Sequence, residues 1–182
     1  MKLGKTLYLT DRKDWRDWLI NHHHTEKEIW LVYYKQETGK PRLPYNDAVE
    51  EALCFGWIDS TVKKIDEGSN AQRFTPRRLR SPLSEMNKER VRRLIEAGKM
   101  TPSGLLAVGD ILTEKFSIPS DILKALRADK QIWHNFQGFS ESYKRIRVGW
   151  IGGARRRPKE FSKRLNYFLR MTAKNKKYGM VQ

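Results

Sequence analysis

Residues 57–76 alternate, and after Ser84 the chain no longer does. That change of period constrains the fold more than any other feature. WIDSTVKKID (57–66) places β-branched residues in an extended pattern, EGSN (67–70) has the composition of a turn, and AQRFTPR (71–77) resumes the pattern until Pro76 stops it. The spacing predicts a β-hairpin over 57–76. EIWLVYYK (28–35), aromatic and β-branched, predicts another strand, and Leu7-Tyr8-Leu9 is a candidate edge. From Ser84 onward apolar residues recur at helical spacing. Ser84 is placed to cap EMNKERVRRLIEA, with Met86, Val91, Leu94 and Ile95 inward and Gly98 as the stop. Thr101-Pro102 opens a short helix. Ser120 is placed to cap DILKALRA, residues 130–137 form another helix, and Ser140 caps ESYKRIRVGWIGGA with Tyr143, Ile146 and Trp150 at helical spacing. A last helix covers 157–174. The fold class is therefore α+β. A small, mostly antiparallel sheet with helices occupies residues 1–80, and an all-helical module occupies 81–182, the two packed as one unit.

Two helices complete the first part. Thr10 is placed to cap a helix over 10–21, whose apolar face is Trp15, Trp18 and Leu19. YNDAVEEALCF (45–55) is helical with Ala48, Ala52 and Phe55 inward. Gly56 then ends it in the left-handed conformation, so that Trp57 can begin a strand. Alternation puts Trp57 and Asp59 on one face of that strand.

The charge bears on partners. Thirty-seven Lys and Arg against 21 Asp and Glu give the 182-residue chain a formal charge of +16. Such an excess points to a polyanionic partner: an anionic small molecule, nucleic acid or an anionic membrane surface. No stretch approaches the roughly 18 apolar residues of a membrane span, and the N-terminal residues carry no continuous apolar segment of the secretory kind. Cys54 is the single cysteine, which fits a reducing compartment. It reads as a buried helical thiol, against the alternative of a reactive one. The expected location is cytoplasmic. No phosphate-binding glycine loop and no nucleophile-elbow motif occurs, so no catalytic residue and no cofactor is assigned. His22-His23-His24 do not face a common point on a helix. They read as a cationic helix end, and no metal is expected.

Two constellations are candidate sites. On the last helix, Phe161, Leu165, Phe168, Leu169 and Thr172 fall on one side, and Arg156, Lys159, Lys163, Arg170 and Lys174 on the other. The second set is a candidate polyanion-binding stripe. Its alternative is a solvated face whose C-terminal cations the helix dipole favours. The stripe lacks exposed aromatic residues for base stacking, which counts against single-strand recognition. In the hairpin, cross-strand pairing brings Asp59 toward Arg73 or Arg77, with Trp57 as a pocket wall and Asn87 placed to point back to the same region. The alternative is a structural hairpin with Trp57 in the core and Asp59 neutralised by an arginine.

EEALCFGWIDS, QRFTPRR and SPLSEMNKERVRRLIEAGKMTPSGL, in that order over residues 44–106, resemble the YdeI/OmpD-associated family, also described as bacteriocin-protection proteins. SYKRIRVGWIGGARRRPKEFSKRLNYFLRMTAKNK is similar to that family's terminal helical module, and Trp15 and Trp18 fit its first helix. Ser60 stands where the family usually has Gly, Leu83 where it usually has Trp, and Ala154-Arg155-Arg156 at its usual junction before the last helix. The resemblance implies a link to envelope stress and to protection against cationic peptides or bacteriocins, with no reaction or cofactor attached. The leading expectation is a non-enzymatic, cytoplasmic, stress- or bacteriocin-protection protein that binds an anionic ligand or partner. Two alternatives are an enzyme acting on a small anionic metabolite through Asp59 with Arg73 and Arg77, and a sequence-independent nucleic-acid binder.

Overall fold

The computed structural model describes residues 2–79, 81–109 and 115–179. The sheet comprises β1 (Thr6–Leu7), β2 (Ile29–Tyr34), β3 (Trp57–Lys64) and β4 (Ser69–Pro76). The helices are α1 (Arg12–His22), α2 (Tyr45–Cys54), α3 (Glu85–Glu96), α4 (Pro102–Val108), α5 (Ser120–Arg127), α6 (Lys130–Gln137), α7 (Glu141–Gly152) and α8 (Pro158–Ala173). The fold is α+β, as the change of period predicts. Strand order is β1-β2-β4-β3; β1 runs parallel to β2 and the other pairs are antiparallel. The chain divides into two compact units, Met1–Ser81 with Arg90–Asp110, and Pro82–Glu89 with Ile111–Gln182. Among the described residues no helix is long and apolar enough to cross a membrane.

In the first unit the register sorts side chains between the two sheet faces. Asp59 pairs with Phe74 and Phe74 with Ile29, so these share one face; Arg73 pairs with Trp30 on the other. Trp15 and Leu19 of α1 are fully buried, as are Ala48 and Ala52 of α2. The Trp15 ring lies edge-on to Phe74 at 5.5 Å, and its indole N–H donates to the Ala48 carbonyl at 3.0 Å. Helix α1 starts one residue later than the sequence suggests. Asp11, not Thr10, accepts from the Lys13 N–H at 2.7 Å, a carboxylate being the stronger acceptor at a helix start. The hairpin turn also sits earlier than EGSN. The Asp66 carboxylate accepts from Gly68 N at 2.8 Å and Ser69 Oγ at 2.9 Å, which closes the turn and frees Ser69 and Asn70 to join β4.

Gly56 has φ +74°, the left-handed conformation its place after α2 requires. The adjoining Cys54 carbonyl accepts from the Thr101 N–H at 3.0 Å and the Thr101 hydroxyl at 2.6 Å. These bonds bring the start of α4 onto the end of α2. A Cβ on Gly104 would overlap the Cys54 carbonyl oxygen and lie 2.7 Å from its carbon. Backbone cannot rotate out of the way, so Gly104→Ala is expected to destabilise the first unit by about 2–3 kcal/mol. That overlap outweighs the gain of about 1 kcal/mol in helix propensity. Urea unfolding compared with Gly152→Ala, a residue of α7 without a positive φ where nothing lies within 4 Å of the added Cβ, separates packing from propensity.

The second unit buries Ile122, Leu126, Phe136, Tyr143, Ile151 and Phe168 in one cluster. Ser140 caps α7 through the Tyr143 N–H at 3.4 Å, and Asp129 caps α6 through the Ile132 N–H at 2.9 Å. Ser120 is instead the first residue of α5, after Pro119, and makes no cap bond. The Asn135 side chain, near-buried on α6, donates to the Thr172 carbonyl at 2.9 Å and ties α6 to the end of α8.

Candidate anion-binding groove

Helix α8 begins with Pro158 and Glu160 in its first turn, both suited to a helix N-terminus. Phe168 and Thr172 are fully buried, with Phe161, Leu165 and Leu169 packed against the same core, so the opposite side of α8 faces outward. Two adjoining concavities of about 660 and 610 Å³ lie along that outward side. The first is walled by Trp150 and Tyr167 and includes Lys163, Arg164 and Arg170. The second is formed by Arg157, Pro158 and Lys159; Glu160 and Lys163 line both.

The groove is electropositive because most of its cations have no counter-charge. Among the described residues no carboxylate lies within ion-pair distance of Arg157, Lys159, Lys163 or Arg170; the same holds for Arg156 and Lys174 of the expected stripe, which line neither cavity. Glu160 is the one carboxylate on the wall. It accepts from Arg164 Nε at 2.7 Å, and that bond, with the charges of Arg164, Lys163 and Arg157, holds its carboxyl below the usual range.

The aromatic content of this face departs from the sequence expectation. Trp150 and Tyr167 are each 37 % exposed and stand beside the cations. The Arg164 guanidinium covers one face of the Trp150 ring at 4.5 Å, and Arg170 lies 5.1 Å from Tyr167. Tyr167 was legible: eleven residues after Arg156, at 100° each, it turns only about 20° from it and falls inside the stripe. Trp150 comes from α7, and its position beside α8 had no sequence signal beyond its helical spacing. Within α7, Arg147 is 6 % exposed, and its guanidinium lies 4.8 Å from Tyr178, 5.6 Å from Tyr143 and 5.8 Å from Trp150. Its Nε is buried with no hydrogen-bond partner among the described residues. No carboxylate pairs with it among the described residues, so a fixed positive charge stands behind the Trp150 wall.

The hairpin residues are placed differently. Trp57 is 1 % exposed, with its indole N–H on the His23 carbonyl at 3.2 Å and its ring edge-on to Trp18 at 5.7 Å. Asp59 accepts from the Tyr45 hydroxyl at 2.7 Å and from Gln72 Nε2 at 3.3 Å, and neither arginine reaches it. Burial, then the bond to Asp59, pushes the Tyr45 hydroxyl up to about 12, so it remains a donor. Arg73, on the opposite sheet face, bonds Glu28 through Nε at 2.7 Å and Nη2 at 2.5 Å. Arg77 donates to the Ala107 carbonyl. Asn87 belongs to the second unit, where its N–H donates to Ser84 Oγ at 3.3 Å. Tyr33 carries no sequence signal of its own; its buried hydroxyl has no hydrogen-bond partner among the described residues, and burial raises it above the usual tyrosine range.

Cys54 is buried, and desolvation pushes its thiol up to about 11, which leaves it a poor nucleophile. His23 Nδ1 lies 2.7 Å from the Leu19 carbonyl, as a residue at a helix end would. Among the described residues no group of three or more His, Cys, Asp or Glu side chains is placed to hold a metal ion.

Residues 7–107 match a family described as a domain of unknown function, DUF8412. Residues 115–175 match the family described as bacteriocin-protection, YdeI or OmpD-associated. No curated protein and no solved structure matches the chain.

Proposed function

We propose, for a chain that belongs to the DUF8412 family through residues 7–107 and whose residues 115–175 match the bacteriocin-protection, YdeI or OmpD-associated family, a protective role exerted by binding. The protein acts in the cytoplasm, without a reaction of its own, by holding a phosphate-bearing or otherwise polyanionic ligand in the α8 groove. One observation carries this reading. The α8 face carries two shallow concavities, and among the described residues Arg164 is the one cation lining them with a carboxylate within ion-pair distance. A merely solvated helix face needs neither the concavity nor the sparing of counter-charges. Cations without partners do not strengthen the fold; they become favourable when an anion releases its counter-ions onto them.

The test is a salt titration with labelled polyanions, using the wild type and Lys163→Glu with Arg170→Glu. The logarithm of the wild-type affinity is expected to fall linearly with log salt, with a slope of about 0.9 for each phosphate contacted on duplex DNA. The double reversal is expected to weaken binding by roughly tenfold or more and to reduce the slope by about 0.9 for each phosphate no longer neutralised. Lys13→Glu serves as control, because Lys13 already pairs with Asp17 at 2.6 Å. Equal weakening by the control and the groove variant removes the groove from the account. Absence of binding to any polyanion at low salt removes the proposal.

A further inference from the structure

Resting on that reading, we infer that the ligand of the α8 groove is a single-stranded nucleic acid, whose bases stack on Trp150 and Tyr167 while its phosphates lie on Lys159, Lys163 and Arg170. Each class of polyanion makes its own demand on a binding surface. Polyphosphate or a sulfated sugar needs cations alone and has no use for exposed rings. A duplex hides its base faces in the stack, so only its backbone meets the protein. A single strand offers both parts, and base–aromatic stacking is indifferent to sequence because every base has a π-face.

The groove has both parts at the same place. Trp150 and Tyr167 are partly exposed and wall the cavity that Lys163 and Arg170 line. Each ring has a guanidinium against it, Arg164 at 4.5 Å and Arg170 at 5.1 Å. A guanidinium plane is itself a stacking partner for a base, so ring and cation form one composite platform. Tyr178 contacts both rings, 6.2 Å from Trp150 and 4.7 Å from Tyr167, which keeps the two platforms close. The two ring centroids therefore lie no more than about 11 Å apart, within the span of about three nucleotides at the roughly 3.4 Å rise of a stacked strand. Lys159 and Arg157 continue the cationic lining into the adjoining cavity, so the track extends past the rings.

A membrane surface fits less well. An interfacial helix inserts its apolar side. On α8 that side is already occupied: Phe168 is fully buried, and Phe161, Leu165 and Leu169 pack against the core. The outward side that remains carries lysines and arginines, with no aliphatic residue other than Pro158 among the lining of either cavity.

The experiment measures fluorescence anisotropy of a labelled 20-nucleotide oligo-dT strand, a duplex of the same length and inorganic polyphosphate. Each meets the full-length protein at one low salt concentration, with thymidine monophosphate as competitor. Anionic vesicles of phosphatidylglycerol and phosphatidylcholine are tested by co-sedimentation. The single strand is expected to bind about tenfold or more tighter than the duplex and to resist the mononucleotide. Trp150→Ala and Tyr167→Ala are each expected to weaken strand binding by roughly 5- to 150-fold, the range for one lost stack, and to leave polyphosphate binding within about twofold. Trp150→Phe and Tyr167→Phe keep a ring and are expected to retain most of the affinity, which separates stacking from damage to the fold. Equal affinity for strand, duplex and polyphosphate, with the alanine variants unchanged and the charge-reversed variant weakened, overturns the single-strand assignment while the anion groove stands. Tighter binding to vesicles, or a mononucleotide that competes as well as the strand, also overturns it. No binding to any of these probes overturns the groove itself.

Discussion

Trp57→Ala is expected to cost the first unit about 3–5 kcal/mol, the range for removing a fully buried tryptophan. The residue is 1 % exposed, and the truncation removes two kinds of interaction together. The ring loses its edge-to-face packing on Trp18 at 5.7 Å, and the His23 carbonyl loses the indole donor at 3.2 Å. The cavity opens at the start of β3, directly after Gly56, where the backbone is pinned: the Arg77 N–H donates to the Gly56 carbonyl at 2.9 Å. Little collapse is available there, which favours the upper part of the range. Urea unfolding followed by amide exchange in β2 and β4 reads the loss within the unit. A Trp57→Ala protein of near wild-type stability with weakened ligand binding would return Trp57 to the role of a pocket wall.

Removing both arginines that face Glu51 should do comparable harm by a different route. Glu51 is 3 % exposed on α2. It accepts from Arg12 Nε at 2.6 Å and Arg16 Nη1 at 2.6 Å, two cations one helical turn apart on α1. Arg12 also reaches Asp47 at 2.9 Å and Glu50 at 3.2 Å, but those carboxylates are more exposed and can turn to water. Arg12→Met with Arg16→Met therefore strands a buried carboxylate and is expected to destabilise by about 3–5 kcal/mol. The decisive variant adds Glu51→Leu. With the buried charge gone, most of the loss should return, because well-packed apolar replacements of buried ion pairs are often neutral. If the triple variant is no more stable than the double, the arginines act through packing, for which the approach of Arg16 to the Phe55 ring at 5.2 Å is the leading candidate.

These side chains mark how far the sequence could be read. Local patterns carried the elements: period two for the hairpin, helical spacing from Ser84, and the left-handed glycine after α2, since each depends on neighbours within a few residues. The partners of Asp59 and Arg73 did not follow, because strand order is not a local property. With β4 between β2 and β3, Arg73 pairs across to Trp30 and meets Glu28, 45 residues away. The register shift between Asp59 and Val62 further displaces the second half of β3 against its partner. Asp59 was settled by Tyr45, on the helix before its own strand, for which a hairpin argument has no place. The groove was half legible. Lys159, Lys163, Arg170 and Tyr167 follow from helix geometry alone, whereas Arg156 and Lys174 of the expected stripe line neither cavity and Trp150 needed α7 to be packed before it could stand beside the rest.

The buried thiol has a practical consequence. Cys54 is the chain's single cysteine, and its carbonyl is clasped by Thr101 at the start of a different helix. The sulfur itself is buried against Arg16 of α1, so an alkylating reagent meets it only when the packing around α2 opens, and the rate of labelling becomes an internal clock for that opening. The protein thus carries a native reporter of how often its first unit opens, without an engineered probe and without disturbing the face where a ligand would sit.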